Sequence, residues 1–291
     1  MGKRKKHNNP IRTTRPNGGV RPDKSLGQNF LIDDEVIQSI IDGSDIDKDS
    51  LVIEIGPGEG ALTCQMAELA GRVVAVELDD RLIPILNVKL FGYGNCEVIH
   101  GDILEVDLNS IIARNIEEYN LKTVRVVGNL PYYITTPIIM KLLEMGTKAD
   151  SITAMMQKEV GDRLYAEPGS KQSGAITYAV HYYSDVRKVV DVGRECFYPA
   201  PKVESVVLRM DILKEKPVAV KDEDFYFRAI KAGFTQRRKT LLNSLTTLDG
   251  FSRETIAEAL ERSGIESNRR AESLSMQEFA ILADMLMEAK R

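Results

Sequence analysis

The sequence is poor in the residues that build disulfide frameworks, metal centres and histidine-activated nucleophiles. Its 291 residues include three cysteines and three histidines, namely Cys64, Cys96, Cys196, His7, His100 and His181. The cysteines are odd in number, lie far apart and follow no metal-ligand spacing, a usage typical of a reducing compartment. The histidines are equally scattered. We therefore expect no disulfide framework, no metal site and no histidine-based nucleophile relay.

Long apolar runs are also missing. No stretch approaches the roughly 20 apolar residues that a membrane span requires, and none resembles the apolar core of a signal peptide. Hydrophobic residues still make up 43% of the chain, which is ample for a packed core. We expect a cytoplasmic protein of two domains, or of one domain with an appendage.

Acidic residues are absent from the first 22 positions, which carry seven Lys or Arg residues. The whole chain has a net charge of −4, so the remainder is more acidic than that value indicates. The prolines and glycines of this arm, residues 1–23, predict disorder and exclude the amphipathic helix of a transit peptide. An RNA-contacting arm, a solubilising tail and a nuclear address all remain open.

The segment 51–60 combines an apolar strand with a glycine turn. It contains Gly56, Gly58 and Gly60, and an amphipathic segment follows directly. Glycines let a backbone approach a ligand, and the N–H groups at a helix start favour an anion. A second predicted strand ends at Glu77, where an acid can hold both hydroxyls of a ribose. The loop fits NAD, S-adenosylmethionine (SAM) or a turn without a ligand, and the glycine triplet fits SAM better.

Strand and helix patterns alternate over most of the chain. The predicted strands are residues 51–55, 72–77, 96–100, 123–127, 151–156, 186–192 and 203–210. One predicted helix, with Asp33 as its N-cap and Gly43 at its end, precedes these strands. Further helices are predicted near 61–70, 80–90, 137–144, 158–165 and 175–183, and only helical patterns remain near 222–233, 237–246, 252–262 and 276–289. The alternation predicts an α/β fold, a doubly wound sheet with helices on both faces, over residues 24–212. Residues 213–291 are predicted to form a small all-helical domain.

Polar residues follow the strands at the end where such sheets bind ligands. Asp102 follows the strand 96–100, where its carboxylate could accept the exocyclic amine of an adenine or act only as a turn residue. The turn Asn129-Leu130-Pro131-Tyr132 follows the strand 123–127 and belongs to the [Asn/Asp]-x-Pro-[Tyr/Phe] class of amino methyltransferases.

This turn suits the chemistry of an exocyclic amine, whose lone pair is delocalised into the ring. The side-chain oxygen of Asn129 and the carbonyl of Leu130 can accept its two N–H bonds, more strongly as positive charge builds on nitrogen. Pro131 fixes the turn and Tyr132 offers a stacking face. The alternative is a proline turn that closes a strand, with Tyr132 in the core.

Two further groups are candidates for contact with a nucleic acid. A base in a helix cannot reach the turn, so the target must be extruded or unpaired, and Phe197 in a proline-rich loop is a candidate for a second platform. Its alternative is core packing. A basic helix is predicted over 234–242, whose Arg237, Arg238 and Lys239 could grip phosphates or form a solvated face.

At these motifs the chain resembles the KsgA family, the small-subunit ribosomal RNA adenine N6,N6-dimethyltransferases. The matching stretches are residues 26–31 (LGQNFL), 54–58 (EIGPG), 128–133 (GNLPYY), 197–205 (FxPxPxVxS) and 234–239 (FxQRRK). The resemblance implies a Rossmann-like class I SAM methyltransferase domain with a helical C-terminal domain. It implies that Asn29, Leu31, Gly56, Glu77, Asp102 and Asn129 line the donor site.

The resemblance also implies a substrate, two adjacent adenosines in a hairpin loop near the 3′ end of small-subunit (16S) rRNA, each of which receives two methyl groups. We expect a monomer that acts on an immature ribosomal subunit. The related large-subunit enzyme of macrolide resistance is the nearest alternative, which Leu130 and the 236–239 segment disfavour. A non-catalytic RNA-binding relative would not need the intact Asn129 turn. An NAD dehydrogenase would need a proton donor near the site, and the sequence offers no candidate for one.

Overall fold

The computed structural model describes residues 20–23, 25–144, 146, 148–236 and 238–289. Most of the basic arm and Arg237 therefore lie outside the described residues. The chain divides into two compact units. One runs to Gly161 and includes Arg187–Asp211, and the other consists of Asp162–Val186 and the segment from Ile212 onward. The domain bounds 24–212 and 213–291, taken from the sequence pattern, remain a prediction.

Nine strands and eleven α-helices make up the described chain. The strands are β1 Phe30–Leu31, β2 Ser50–Ile55, β3 Arg72–Glu77, β4 Cys96–His100, β5 Thr123–Asn129, β6 Ser151–Gln157, β7 Ser184–Val192, β8 Phe197–Tyr198 and β9 Ser205–Ile212. The helices are α1 Asp34–Ser44, α2 Ala61–Leu69, α3 Ile83–Leu90, α4 Leu108–Tyr119, α5 Thr135–Glu144, α6 Lys158–Tyr165, α7 Ala175–Tyr183, α8 Glu223–Gly233, α9 Leu241–Leu245, α10 Arg253–Arg262 and α11 Met276–Ala289. None of these helices is long and apolar enough to cross a membrane.

Seven strands form one sheet in the order β4-β3-β2-β5-β6-β9-β7. The strands from β4 to β6 are parallel, and β9 runs antiparallel to β6. The central strand β2 is buried along its whole length, which explains its nearly continuous apolar sequence. The chain proceeds outward from β2 through β3 to β4 and then returns to β5 on the other side. The predicted α/β sheet is therefore confirmed, and its strand order reverses between β2 and β5, where such sheets bind ligands.

The N-cap of α1 is confirmed, whereas its predicted end is wrong. The Asp33 carboxylate accepts hydrogen bonds from two backbone N–H groups of the first turn, both at 3.0 Å. The helix continues through Gly43 to Ser44. A Cβ atom at Gly43 would lie 2.6 Å from Cγ1 of Val189, so close packing, and not helix termination, requires glycine here.

The predicted basic helix also needs correction. Helix α9 begins only at Leu241, so Arg238 and Lys239 lie exposed in the turn that precedes it. Thr240 before the helix has extended backbone angles, and the Leu241 N–H donates to the carbonyl of Arg269 at 2.7 Å. A tertiary hydrogen bond thus fixes the start of the helix, which a local pattern could not show.

Candidate active site

A cavity opens at the carboxyl ends of the parallel strands, where the sheet order reverses. It encloses about 790 Å³ of space between protein atoms, a volume that includes the open solvent at its mouth. Nearly all predicted site residues of the first unit line it, namely Asn29, Gly56, Gly58, Glu77, Asp102, Asn129, Leu130, Pro131 and Tyr132. These residues come from five separate places in the sequence. The topology of the sheet brings them together.

The glycine loop forms one wall of this cavity. Gly56 and Gly58 adopt left-handed backbone angles, with φ of 65° and 60°, which only glycine adopts without strain. The Gly56 N–H donates to the carbonyl of Val76 at 3.0 Å and so ties the loop to the neighbouring strand β3. A Cβ atom at Gly58 would lie 3.1 Å from the ring of Phe30, so the loop also packs closely against the segment before α1.

Glu77 ends β3 with its carboxylate held in place. One oxygen accepts from the Gly58 N–H at 3.1 Å, and the other accepts from the Asp79 N–H at 2.9 Å. The residue is 5% exposed, and burial raises its pKa although both backbone hydrogen bonds oppose that change. Each oxygen retains a further lone pair, so the carboxylate can accept two neighbouring hydroxyl groups.

Asp102 follows β4 and is half-buried at the cavity wall. One of its side-chain oxygens accepts from the Leu104 N–H at 2.8 Å, which is the turn geometry that the sequence offered as the alternative role. The carboxylate can fix the turn and still accept a hydrogen bond from a ligand through its remaining lone pairs. The two roles are therefore compatible.

Glu54 is a candidate that the sequence analysis missed. It lies 1% exposed in β2, and burial raises the pKa of its carboxyl to about 8. Among the described residues none bonds to its Oε2 atom. It borders a second cavity of about 800 Å³, which shares Gly56, Gly58 and Asn129 with the first. A lone acid in an otherwise apolar strand was the available signal. A buried carboxyl group whose Oε2 atom has no described partner favours a cationic ligand group.

These features together fit SAM. Glu77 suits its ribose hydroxyls, Glu54 suits a cationic group, and the glycine loop allows close approach of the ligand. No described group of three or more His, Cys, Asp or Glu residues is placed to hold a metal ion.

Asn129 ends β5 with its amide orientation fixed. Its Nδ2 atom donates to the backbone carbonyl of Asn29 at 3.0 Å, which leaves Oδ1 as the free acceptor. The next carbonyl, that of Leu130, receives no hydrogen bond from any residue in the described part of the chain, although the Leu130 N–H donates to Met155 at 3.1 Å. The Pro131 carbonyl is different, because the following turn donates to it twice. Two acceptors, Asn129 Oδ1 and the Leu130 carbonyl, are thus available to an amino group.

Two consecutive tyrosines line the same cavity. The Tyr132 hydroxyl lies 2.6 Å from Oγ of Ser205, which holds the half-buried ring in place, and burial raises the pKa of its phenol. Tyr133, which belongs to the 128–133 motif, is 56% exposed.

The remaining predicted site residues do not line this cavity. Phe197 is 1% exposed and pairs with Leu31 between β8 and β1, within an apolar core cluster. The structure therefore does not place Phe197 at the cavity, because its ring is enclosed by core side chains, and its stacking role remains a prediction. Leu31 is absent from the wall of the first cavity and borders the second. Arg238 and Lys239 belong to the other unit, and Arg237 is outside the described residues.

The chain is similar in sequence to known ribosomal RNA methyltransferases. The model of the ribosomal RNA adenine dimethylase family matches residues 20–288. The chain is 49% identical over 263 residues to "Ribosomal RNA small subunit methyltransferase A" of Oceanobacillus iheyensis, covering 90% of this chain and 89% of that protein. It is 49% identical over 267 residues to the protein of the same name in Geobacillus thermodenitrificans, covering 91% and 90%.

Two solved structures are similar in fold over nearly the whole chain. A dimethyladenosine transferase from Plasmodium falciparum has a TM-score of 0.71 at 26% identity, with 87% of this chain and 95% of that chain covered. The 23S rRNA methyltransferase ErmE has a TM-score of 0.67 at 27% identity, with 89% and 100% covered.

Proposed function

Because the chain belongs to the ribosomal RNA adenine dimethylase family, we propose that it methylates N6 of two adjacent adenosines in the 3′-terminal hairpin loop of small-subunit (16S) rRNA. The product is N6,N6-dimethyladenosine and the donor is SAM. The main support for the proposal is the orientation of the Asn129 amide beside the Leu130 carbonyl, to which no described residue donates a hydrogen bond.

Glu54, Glu77 and the glycine loop are suited to hold the donor. Glu77 accepts the ribose hydroxyls while the N–H groups of Gly58 and Asp79 keep its carboxylate in position. Glu54 accepts a cationic group through Oε2, which favours release of its proton when the ligand binds. When bound, SAM supplies an electrophilic methyl group on a sulfonium centre.

The Asn129 turn is suited to hold the acceptor. Asn129 Oδ1 and the Leu130 carbonyl accept the two N–H bonds of the adenine amine and steer its nitrogen toward a tetrahedral geometry. Both hydrogen bonds strengthen as positive charge develops on nitrogen, so they stabilise the transition state more than the bound substrate. Tyr132 stacks against the target base. No strong base is needed, because the methylated amine is a cation that readily loses its proton to water.

Small-subunit rRNA is favoured as the substrate over the alternatives. The chain shares 49% identity with relatives named for the small subunit and 27% with the 23S rRNA methyltransferase ErmE. A non-catalytic relative would not need the Asn129 and Leu130 acceptors.

The proposal also includes a partner and a location. We infer that the substrate is rRNA within an immature small subunit and that the enzyme acts in the cytoplasm as a monomer, without a membrane. Arg238 and Lys239 are exposed and suited to phosphate contact, as an RNA substrate of this size requires.

Methyl transfer to purified small and large subunits that lack the modification tests the proposal. We expect N6,N6-dimethyladenosine in the small-subunit RNA only, measured by mass spectrometry of nucleosides. Asn129→Ala should lower kcat by about 10²-fold or more. Transfer confined to large subunits would contradict the proposal.

A further inference from the structure

Tyr133 occupies a distinct position at the rim of the cavity. A Cβ atom at Gly27 would lie 3.3 Å from Cδ1 and 3.5 Å from Cε1 of its ring, so the ring packs against the Gly27 backbone. Gly27 has a φ of 63°, a conformation that favours glycine. One side of the ring is therefore supported by a segment without a side chain. More than half of the residue remains exposed to solvent.

Tyr133 differs from its neighbour Tyr132 in how it is held. The Tyr132 hydroxyl bonds to Ser205 and its ring is half-buried. Within the described ranges, no hydrogen-bond partner is found for the Tyr133 hydroxyl, so the contact with Gly27 supports one side of the ring and the polar end remains open. Other exposed aromatic residues, such as Phe91 and Tyr165, do not line the cavity. Tyr133 alone among the exposed aromatic residues of the described chain combines an open ring with a place in the cavity wall.

We propose that Tyr133 is a stacking platform for the nucleobase next to the one being methylated, an inference that rests on the proposed function. Tyr133 lines the same cavity as Asn129 and Leu130 and is exposed, so a base with its amine at those two residues places the adjoining nucleotide within reach of the Tyr133 ring. An aromatic face binds any base by stacking. Methylation of N6 leaves the face of a base intact, so the same platform serves either adenosine while its neighbour is being modified.

This placement separates the two aromatic contacts of the site. Tyr132 stacks on the target base inside the cavity, and Tyr133 supports the neighbour outside it. Phe197, the sequence-based candidate for the second platform, lies in the core. Tyr133 is a binding residue for the RNA and does not touch the donor, so its loss should affect the KM for RNA and not the affinity for SAM.

Steady-state methylation of unmodified small subunits by the full chain gives the first test. Tyr133→Ala should raise the KM for subunits by roughly 5- to 150-fold, the range expected for the loss of one stacked base. Its affinity for SAM, measured by calorimetry, should stay unchanged. Tyr133→Phe should recover most of the lost affinity, because stacking needs the ring and not the hydroxyl. The matched control is Tyr165→Ala, which removes an exposed tyrosine that does not line the cavity.

The absence of tryptophan from the chain provides a direct second test. Tyr133→Trp introduces a single indole whose fluorescence a stacked nucleobase should quench. We expect quenching on addition of small subunits and none on addition of SAM alone, with no quenching for Tyr165→Trp. Quenching by SAM alone would reassign Tyr133 to the donor site and overturn the inference. An unchanged KM in Tyr133→Ala would also overturn it. If the unaltered chain fails to methylate small subunits, the proposed function fails instead. Measuring the unaltered chain beside the variants therefore distinguishes failure of the proposed function from failure of the Tyr133 inference.

Discussion

The hydrogen bond between Asn129 and the Asn29 carbonyl leads to a specific prediction for Asn129→Asp. The substitution keeps an oxygen acceptor for the adenine amine but removes the donor that faces Asn29 at 3.0 Å. The ionised carboxylate of this variant would place an oxygen against the Asn29 carbonyl oxygen, and neither atom can donate a hydrogen bond. The acceptor group is therefore retained while the contact that orients it is lost.

The expected cost follows from the contact that is lost. Leaving a carbonyl acceptor unpaired in a partly buried site costs roughly 1–3 kcal/mol. The same free energy at the transition state corresponds to a decrease of about 5- to 150-fold in kcat/KM for the first transfer. The second transfer should suffer more, because N6-methyladenosine retains one N–H bond and can no longer satisfy both Asn129 and the Leu130 carbonyl.

The assay is time-resolved methylation of unmodified small subunits, with adenosine, monomethyl and dimethyl products separated by mass spectrometry. Asn129→Asp should slow the first transfer and accumulate N6-methyladenosine. The matched control is Asn29→Ala, which removes the side-chain hydrogen bond to the Gly27 carbonyl but keeps the Asn29 carbonyl that orients Asn129. The control should therefore retain the ratio of dimethyl to monomethyl product.

Two results would refute this reasoning. An undiminished dimethyl fraction in Asn129→Asp would mean that the orientation of the amide is unimportant. A monomethyl product in Asn29→Ala equal to that in Asn129→Asp would mean that the segment before α1 acts through its side chains and not through its carbonyl.

Three further predictions concern the donor and the RNA. Glu77→Ala should weaken SAM binding by roughly 1–3 kcal/mol in calorimetry, and an unchanged affinity would remove Glu77 from the donor site. Because burial raises the pKa of Glu54 to about 8, binding of a cation there releases a proton, so SAM affinity should rise by up to about tenfold per pH unit between roughly pH 6 and 7. Glu54→Gln should flatten that profile, and a slope that persists would place the proton elsewhere. Joint replacement of Arg238 and Lys239 by Ala should lower the salt slope of RNA binding by about 0.7–0.9 per lost phosphate contact, unlike Lys122→Ala, whose cation pairs with Asp49.

The grouping of most proposed donor-site residues around one cavity could be predicted from the sequence, because each residue lies at or just after the end of a strand. The carboxyl ends of parallel strands meet at one edge, so the positions of Gly56, Glu77, Asp102 and Asn129 follow from correct strand assignments. Glu54 was overlooked because its strand was interpreted only by its apolar character. The depth of its burial depends on β2 lying between β3 and β5, which a local pattern does not give.

The features that the sequence pattern did not predict correctly depend mostly on contacts between distant parts of the chain. The loop around Phe197 has the composition of an exposed proline turn, yet pairing of β8 with β1 encloses its ring. Helix α4 was not predicted, although Asp107 caps it as its sequence allows. The basic helix was predicted to begin too early in the chain, because the hydrogen bond from the Leu241 N–H to the Arg269 carbonyl fixes where α9 begins.

The hydrogen bond between Asn129 and Asn29 spans 100 residues and connects the segment before α1 to the proposed acceptor site. An isolated asparagine at a strand end can present either its oxygen or its nitrogen to a ligand, and only the oxygen can accept from an amine. The Asn29 carbonyl resolves this choice before substrate binds. Since Asn29 and Gly27 line the same cavity as the glycine loop, we expect a shift of that segment to alter the proposed donor site and the orientation of Asn129 together. In the proposed function, the side-chain oxygen of Asn129 therefore faces the adenine amine only while the segment that borders the proposed donor site keeps its fold.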